Sequence, residues 1–133
     1  MSVPAARAAK ILDAQHAVAT LAALTGPIRA RQLTANGTAT AAGTELATSG
    51  GYTSGTGAPT MSWAAANTST GSAATNAAIT ITNMPATTIV GIDVFDSAGT
   101  PERVEYGSLT VSKTTASGDT LSYASGAITS ALA

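Results

Sequence analysis

Cysteine is absent from this 133-residue chain, which excludes a disulfide framework and a thiolate metal site and leaves the redox compartment unread. Charge is scarce too. Charged residues make up 10% of the chain and the formal net charge is −1, so there is no basic surface to neutralise a phosphate backbone, and nucleic acid is not expected as a partner. The same low charge gives little electrostatic protection against self-association. With one Trp, one Phe and three Tyr, the core must be assembled from Ile, Val, Leu and Ala in thin layers. Such a core gains from burial against neighbouring subunits, and a homo-oligomer is expected. No stretch reaches the roughly twenty uninterrupted apolar residues of a membrane-spanning helix. The apolar run after Arg7 and Lys10 is interrupted by Asp13, Gln15 and His16, so no signal peptide is read and synthesis in a cytoplasm is expected. Neither a fixed-period repeat nor a heptad run is present, which excludes a fibre shaft built from this chain alone.

What is present is alternation. Between Ala77 and Ser125, apolar and hydroxyl residues alternate in four stretches: 77–82, 88–95, 103–111 and 120–124. The connectors Asn83-Met84-Pro85, Asp96 to Pro101 and Ala116 to Asp119 supply the Pro, Gly, Asn and Asp that a reversing backbone needs. An antiparallel meander follows. Ile89, Val90, Ile92, Val94 and Phe95 occupy both faces of their strand, which predicts a central position, and the change of phase around Gly107 predicts a bulge or a close approach.

Upstream, Ser2 and Pro4 open an Ala-rich segment with helical spacing as far as about Ala23, ended by Gly26-Pro27. Ile28 to Leu33 alternates as a first strand with Arg29 and Arg31 on one face, and Thr60 to Ala64 is a second with Met61 and Trp63 together. Between them, residues of about 35–59 form a loop of Gly, Ser, Thr and Ala with flexible points at Gly50-Gly51 and Gly55-Thr56-Gly57. Its candidate anchors are Glu45, Leu46 and Tyr52. The expected architecture is mainly β: an N-terminal helical segment, residues 1–26, and an antiparallel β-sandwich of about six to seven short strands, residues 27–133.

No pattern of residues points to catalysis, a cofactor or a metal. His16 is the only histidine and lacks a Gly-x-Ser-x-Gly nucleophile motif, so it reads as a helix-surface or interface residue and the chain as no enzyme. Asp93, Asp96, Glu102 and Glu105 are the one acidic group, without calcium-loop spacing. Asp96 is expected to cap the turn to Pro101, and Glu102, Arg103 and Glu105 to form a solvated edge. Asp93 sits between Ile92 and Val94 in the central strand. If buried it needs a donor, and Arg29, Arg31 and Arg103 are the available arginines.

Four stretches carry a resemblance. They are Gly43-Thr44-Glu45-Leu46 with Ser49-Gly50-Gly51-Tyr52; Ser72 to Ile81; Ile89 to Asp96; and Tyr106 to Thr114 with Ser117 to Ile128. Together they resemble a family of small tailed-bacteriophage virion proteins often labelled tail fibre proteins, which typically open with a short helix bearing a Leu-Asp pair, here Leu12-Asp13. The chain departs from that family at Ile28 to Leu33, where arginines replace apolar and aromatic residues. The resemblance implies a structural virion component with no catalytic residues to carry over. Lacking a shaft repeat, the chain is expected to be a capsid decoration subunit that meets the major capsid protein. Leu12, Val18, Leu21, Arg29, Arg31 and Tyr52 are its expected subunit contacts. The alternative is a tail or tail-fibre subunit among the tail proteins, with Tyr52, Trp63 and Tyr106 stacking on host sugars.

Overall fold

Three strands carry the fold: β1 (Ile28–Ala35), β6 (Thr87–Phe95) and β7 (Arg103–Thr115). In the computed structural model, which describes residues 1–132, β6 lies between β1 and β7 and pairs antiparallel with both. Its apolar residues on both faces therefore mark a central strand, as expected. The outer edge of β1 is closed by two short strands, β2 (Thr44–Glu45) at its C-terminal end and β3 (Thr60–Met61) at its N-terminal end. The second layer consists of two antiparallel pairs, β5 (Ile79–Met84) with β8 (Asp119–Tyr123) and β4 (Ser72–Ala74) with β9 (Thr129–Ala131). The fold is an antiparallel β-rich sandwich, with nine strands among the described residues, more than the six or seven expected. The excess is β2, β4 and β9, strands of two or three residues drawn from Thr, Ser, Ala and one Glu, whose sequence carries no hydrophobic alternation.

The two layers meet through small and medium side chains. Ala30, Ile89, Ile92 and Val94 of the first layer pack with Ile79, Ile81, Leu121 and Tyr123 of the second, and Tyr52, Ala58 and Met61 join the same cluster. Ile79 and Ile81 are buried while Thr80 and Thr82 face outward, the pattern of a sheet with one wet face. The phase change in β7 is a bulge. Ser108 faces Gly91 and Lys113 faces Ile89, so Leu109 to Ser112 stand opposite Val90 alone. A smaller slip at Val104 separates the pairs Val94 with Glu105 and Phe95 with Arg103.

The N-terminal helix α1 runs Ala5–Gln15 and is shorter than the sequence suggests. Alanine propensity extends the periodic pattern to Ala23, yet the chain leaves the helix at His16, and Ala17 takes φ +56°. Residues 16–23 are irregular and exposed. On α1, Arg7, Ala8, Ile11 and Ala14 form the half-buried stripe, and Leu12 faces solvent.

The 35–59 loop is pinned rather than slack. Tyr52 and Ala58 are fully buried, Leu46 packs against the core, and Gly55–Gly57 forms one 3-10 turn. Gly50 takes φ +58°, and Gly51 passes so close to β5 that a Cβ there would strike the Thr82 carbonyl oxygen. Gly51→Ala is therefore expected to lower stability by about 1–3 kcal/mol. Gly99→Ala, with open space around it, is expected to change it by no more than about 0.5 kcal/mol. Urea denaturation of the two variants checks the contrast.

Candidate functional site

The alternation of β1 puts Arg29, Arg31 and Leu33 on the face of the sheet opposite the core, and the register sets them beside Phe95, Asp93 and Gly91 of β6. Asp93 is 1% exposed on this face. Such a carboxylate needs donors, and it has three. Arg103 reaches its Oδ1 through Nε at 3.0 Å and Nη2 at 2.7 Å, and the Gly43 amide donates to Oδ2 at 2.9 Å. The expected arginine partner is thus Arg103 rather than Arg29 or Arg31. The same guanidinium donates through Nη1 to the Thr38 and Ala41 carbonyls at 2.6 and 2.9 Å and stacks on the Tyr106 ring at 4.4 Å. One ion pair therefore ties β6, β7 and the 38–43 loop together.

The remaining arginines are also engaged within the chain. Arg31 lies 3.8 Å over the Phe95 ring and 3.6 Å from Glu45 Oε2, and Arg29 donates to the Ala58 carbonyl at 3.0 Å. Both are half-buried. The expected solvated edge at Glu102, Arg103 and Glu105 is corrected in the same way. Arg103 is half-buried and held in its ion pair, Glu102 pairs with Lys10 at 2.9 Å and Arg7 at 3.5 Å, and Glu105 accepts from the Ser130 hydroxyl.

A second polar group sits inside the sandwich. The Tyr52 hydroxyl donates to Glu45 Oε1 at 2.7 Å and accepts from the Gln32 amide at 3.0 Å, while the Tyr123 hydroxyl donates to Gln32 Oε1 at 2.7 Å across the layers. Gln32 is fully buried, and sequence reasoning does not single it out. The one available signal is a glutamine on the inward-facing phase of β1, between Ala30 and the tail of the strand. Burial raises both phenols above the ordinary tyrosine range; at Tyr52 the Gln32 amide and Arg31 oppose this and Glu45 adds to it.

The aromatic residues do not gather on one exposed patch. Tyr52 is fully buried, Trp63 is half-buried against the core, and the half-buried Tyr106 lies under Arg103 with its backbone paired to Ser2. The Tyr52 ring therefore has no free face for a sugar or for a neighbouring subunit. By contrast, Leu12, Val18 and Leu21 are 52%, 73% and 36% exposed, and all three belong to the N-terminal arm. His16 is exposed at the end of α1.

Asp96 caps the 96–102 turn as its sequence context suggests, accepting from the amides of Glu102 at 2.7 Å and Ala98 at 3.4 Å, and from Thr25 at 3.3 Å. Burial alone would raise this carboxyl, but these three amides, with Arg7 nearby, hold it below the ordinary value. Among the described residues, no group of three His, Cys, Asp or Glu is placed to hold a metal ion, and no helix is long and apolar enough to cross a membrane. No protein-family model matches the chain, and no curated protein matches it.

Three outcomes follow from these networks. Arg103→Ala strands the Asp93 carboxylate and is expected to cost about 3–5 kcal/mol in chemical denaturation, with Arg103→Lys losing less. Because Asp96 titrates lower when folded, its contribution is present above the ordinary carboxylate range of about 4 and is lost as pH falls below it. Asp96→Asn should flatten the acid limb of a stability-versus-pH curve. The raised tyrosines act with the opposite sign: their contribution is full below about pH 10 and is lost above it. Tyr123→Phe should cost about 1–2 kcal/mol at neutral pH and weaken the alkaline decline.

Proposed function

We propose that the chain is a non-enzymatic structural subunit of a tailed-phage virion, most specifically a decoration subunit seated on the capsid surface, with the major capsid protein as its partner. The observation that carries this reading is the N-terminal arm. It presents Leu12, Val18 and Leu21 to solvent on a segment that has no core of its own, in a chain with little charge to keep copies apart. Side chains of this kind gain from cover, and a capsid surface repeats the covering site at every lattice position, so that weak contacts add. The body suits the role of an exposed subunit, because its arginines and buried carboxylates are engaged within the chain. Arg29, Arg31 and Tyr52 drop out of the contact set on that ground. The arm, rather than the β1 face, is the contacting part.

The decisive experiment is an image reconstruction of the intact virion. Density for the sandwich repeated over the head lattice is the expected result, and density confined to the tail would overturn it in favour of the tail or tail-fibre reading. A variant carrying Leu12→Asp, Val18→Asp and Leu21→Asp should keep its circular dichroism, since all three side chains are exposed. It should bind shells stripped of the protein at least tenfold more weakly per substitution, on the basis of about 1.5 kcal/mol or more for each buried side chain.

A further inference from the structure

One short motif takes no part in the networks above. Asn36-Gly37 follows the end of β1, and Asn36 is the only one of the four asparagines in the chain that precedes glycine. It is exposed, and its side-chain amide has no hydrogen-bond partner among the described residues. That amide rests over Gly91 of β6, where a Cβ would strike its Oδ1. The Gly37 N–H, outside the strand, likewise donates to no acceptor among the described residues. The other three asparagines are placed differently. Asn67 Oδ1 accepts from the Ser69 and Thr70 amides at 2.8 and 3.2 Å, Asn76 Nδ2 donates to the Trp63 carbonyl at 3.4 Å, and Asn83 is followed by the fully buried Met84 in β5. Glycine is also required at 37. A Cβ there would meet Arg103 Nη2, the Gly43 nitrogen and the Ala41 oxygen at 2.5 to 2.7 Å, so the loop held by Arg103 leaves no room for a side chain. The fold therefore keeps, next to a free asparagine amide, the residue whose nitrogen is least shielded.

We propose that Asn36 is a site of spontaneous deamidation in the folded protein. The Gly37 nitrogen attacks Asn36 Cγ and gives up its proton, a nitrogen–carbon bond forms, and the Cγ–Nδ2 bond breaks as ammonia leaves. The result is a cyclic imide. Water opening it at Cγ gives aspartate, and water opening it at the main-chain carbonyl gives isoaspartate, whose backbone runs through the side chain and is one atom longer. Either product puts a carboxylate at the wall of a cavity of about 140 Å³ that Asn36 shares with Asp93, Tyr106 and Ser108. Arg103 has one N–H to spare there, since four of its five are given to Asp93, Thr38 and Ala41. The change falls at the foot of the loop whose Ala39 carbonyl accepts from Ala5 at the start of α1. This inference goes beyond the virion reading and is tested on the purified chain alone.

The folded chain, and the same chain unfolded in urea, are held in one mildly alkaline buffer, and the conversion of each asparagine is followed by peptide mass with fragmentation. Sequence alone makes Asn36 the fastest site in the unfolded chain, so the folded rate carries the test. A site that reacts only after global unfolding is slowed by the whole folding equilibrium, about a thousandfold or more. Since neither Asn36 nor the Gly37 N–H has a hydrogen bond to give up, the folded rate at Asn36 is expected to lie within about tenfold of the unfolded rate, and several-fold above the rates at Asn67, Asn76 and Asn83. Greater protection than this, or a folded rate at Asn36 no higher than at the other three, overturns the proposal. Asn36→Ala, at an exposed position, is expected to keep the circular dichroism of the parent and to form none of the more acidic species that ion exchange resolves from the aged chain. An undiminished yield of that species in the variant overturns the assignment as well.

Discussion

A single buried carboxylate organises the outer half of this protein. Asp93 lies in the middle of the central strand, and a charge in that position is tolerable only when it is surrounded by donors. Arg103 and the Gly43 amide supply them, and the consequences propagate outward. To hold Asp93, Arg103 must lie across the sheet, where its remaining N–H groups fix the carbonyls of Thr38 and Ala41. The loop thus fixed offers the Ala39 carbonyl to Ala5 at the start of α1. An ion pair between two adjacent strands therefore sets the position of a helix that is distant in sequence and shares no core with it.

The inner half solves a different problem by similar means. With so few large side chains, the sandwich cannot be fixed by interlocking aromatic rings, and Ala, Ile and Val pack with little directional preference. Gln32 supplies direction. Its amide and side chain bind the hydroxyls of Tyr52 and Tyr123, one from the long loop and one from the opposite layer, so the relative placement of three segments is set by hydrogen bonds of defined length. Outside these two networks, Nε of Arg29, Nε of Arg31 and the Thr75 hydroxyl are buried without a hydrogen-bond partner. For Arg31 the Phe95 ring faces the guanidinium in place of a partner.

The alternating stretches are legible because a strand with one wet face writes its period directly into the sequence, and β5 and β8 can be placed from it to within about two residues. The oddity of Asp93 and the anchoring by Tyr52 and Glu45 can be read as well, since each is a residue type out of keeping with its surroundings. The choice among three arginines cannot be read, for it depends on the slip at Val104, which no local residue announces. β4 and β9 are invisible because Thr, Ser and Ala leave the same trace in a strand as in a loop. The end of α1 is misplaced for the converse reason: alanine favours helix wherever it stands, and only the tertiary packing that ceases beyond Ala14 ends it. Of the candidate contacts, Leu12, Val18 and Leu21 stay on the surface because nothing in the fold reaches them, whereas Arg29, Arg31 and Tyr52 are drawn inward by partners that lie far away in the chain.

The bulge at Leu109 to Ser112 bears on how such a protein behaves when crowded. An open sheet edge is a template on which another sheet can grow without limit, and a chain of net charge −1 has little repulsion with which to prevent it. Here one edge of the main sheet is occupied by β2 and β3, and the other is interrupted where four residues crowd opposite Val90. A strand distorted in this way cannot offer an even ladder of donors and acceptors. Copies crowded together can therefore sit side by side without fusing into a continuous sheet, because side chains rather than an even backbone ladder face the neighbour.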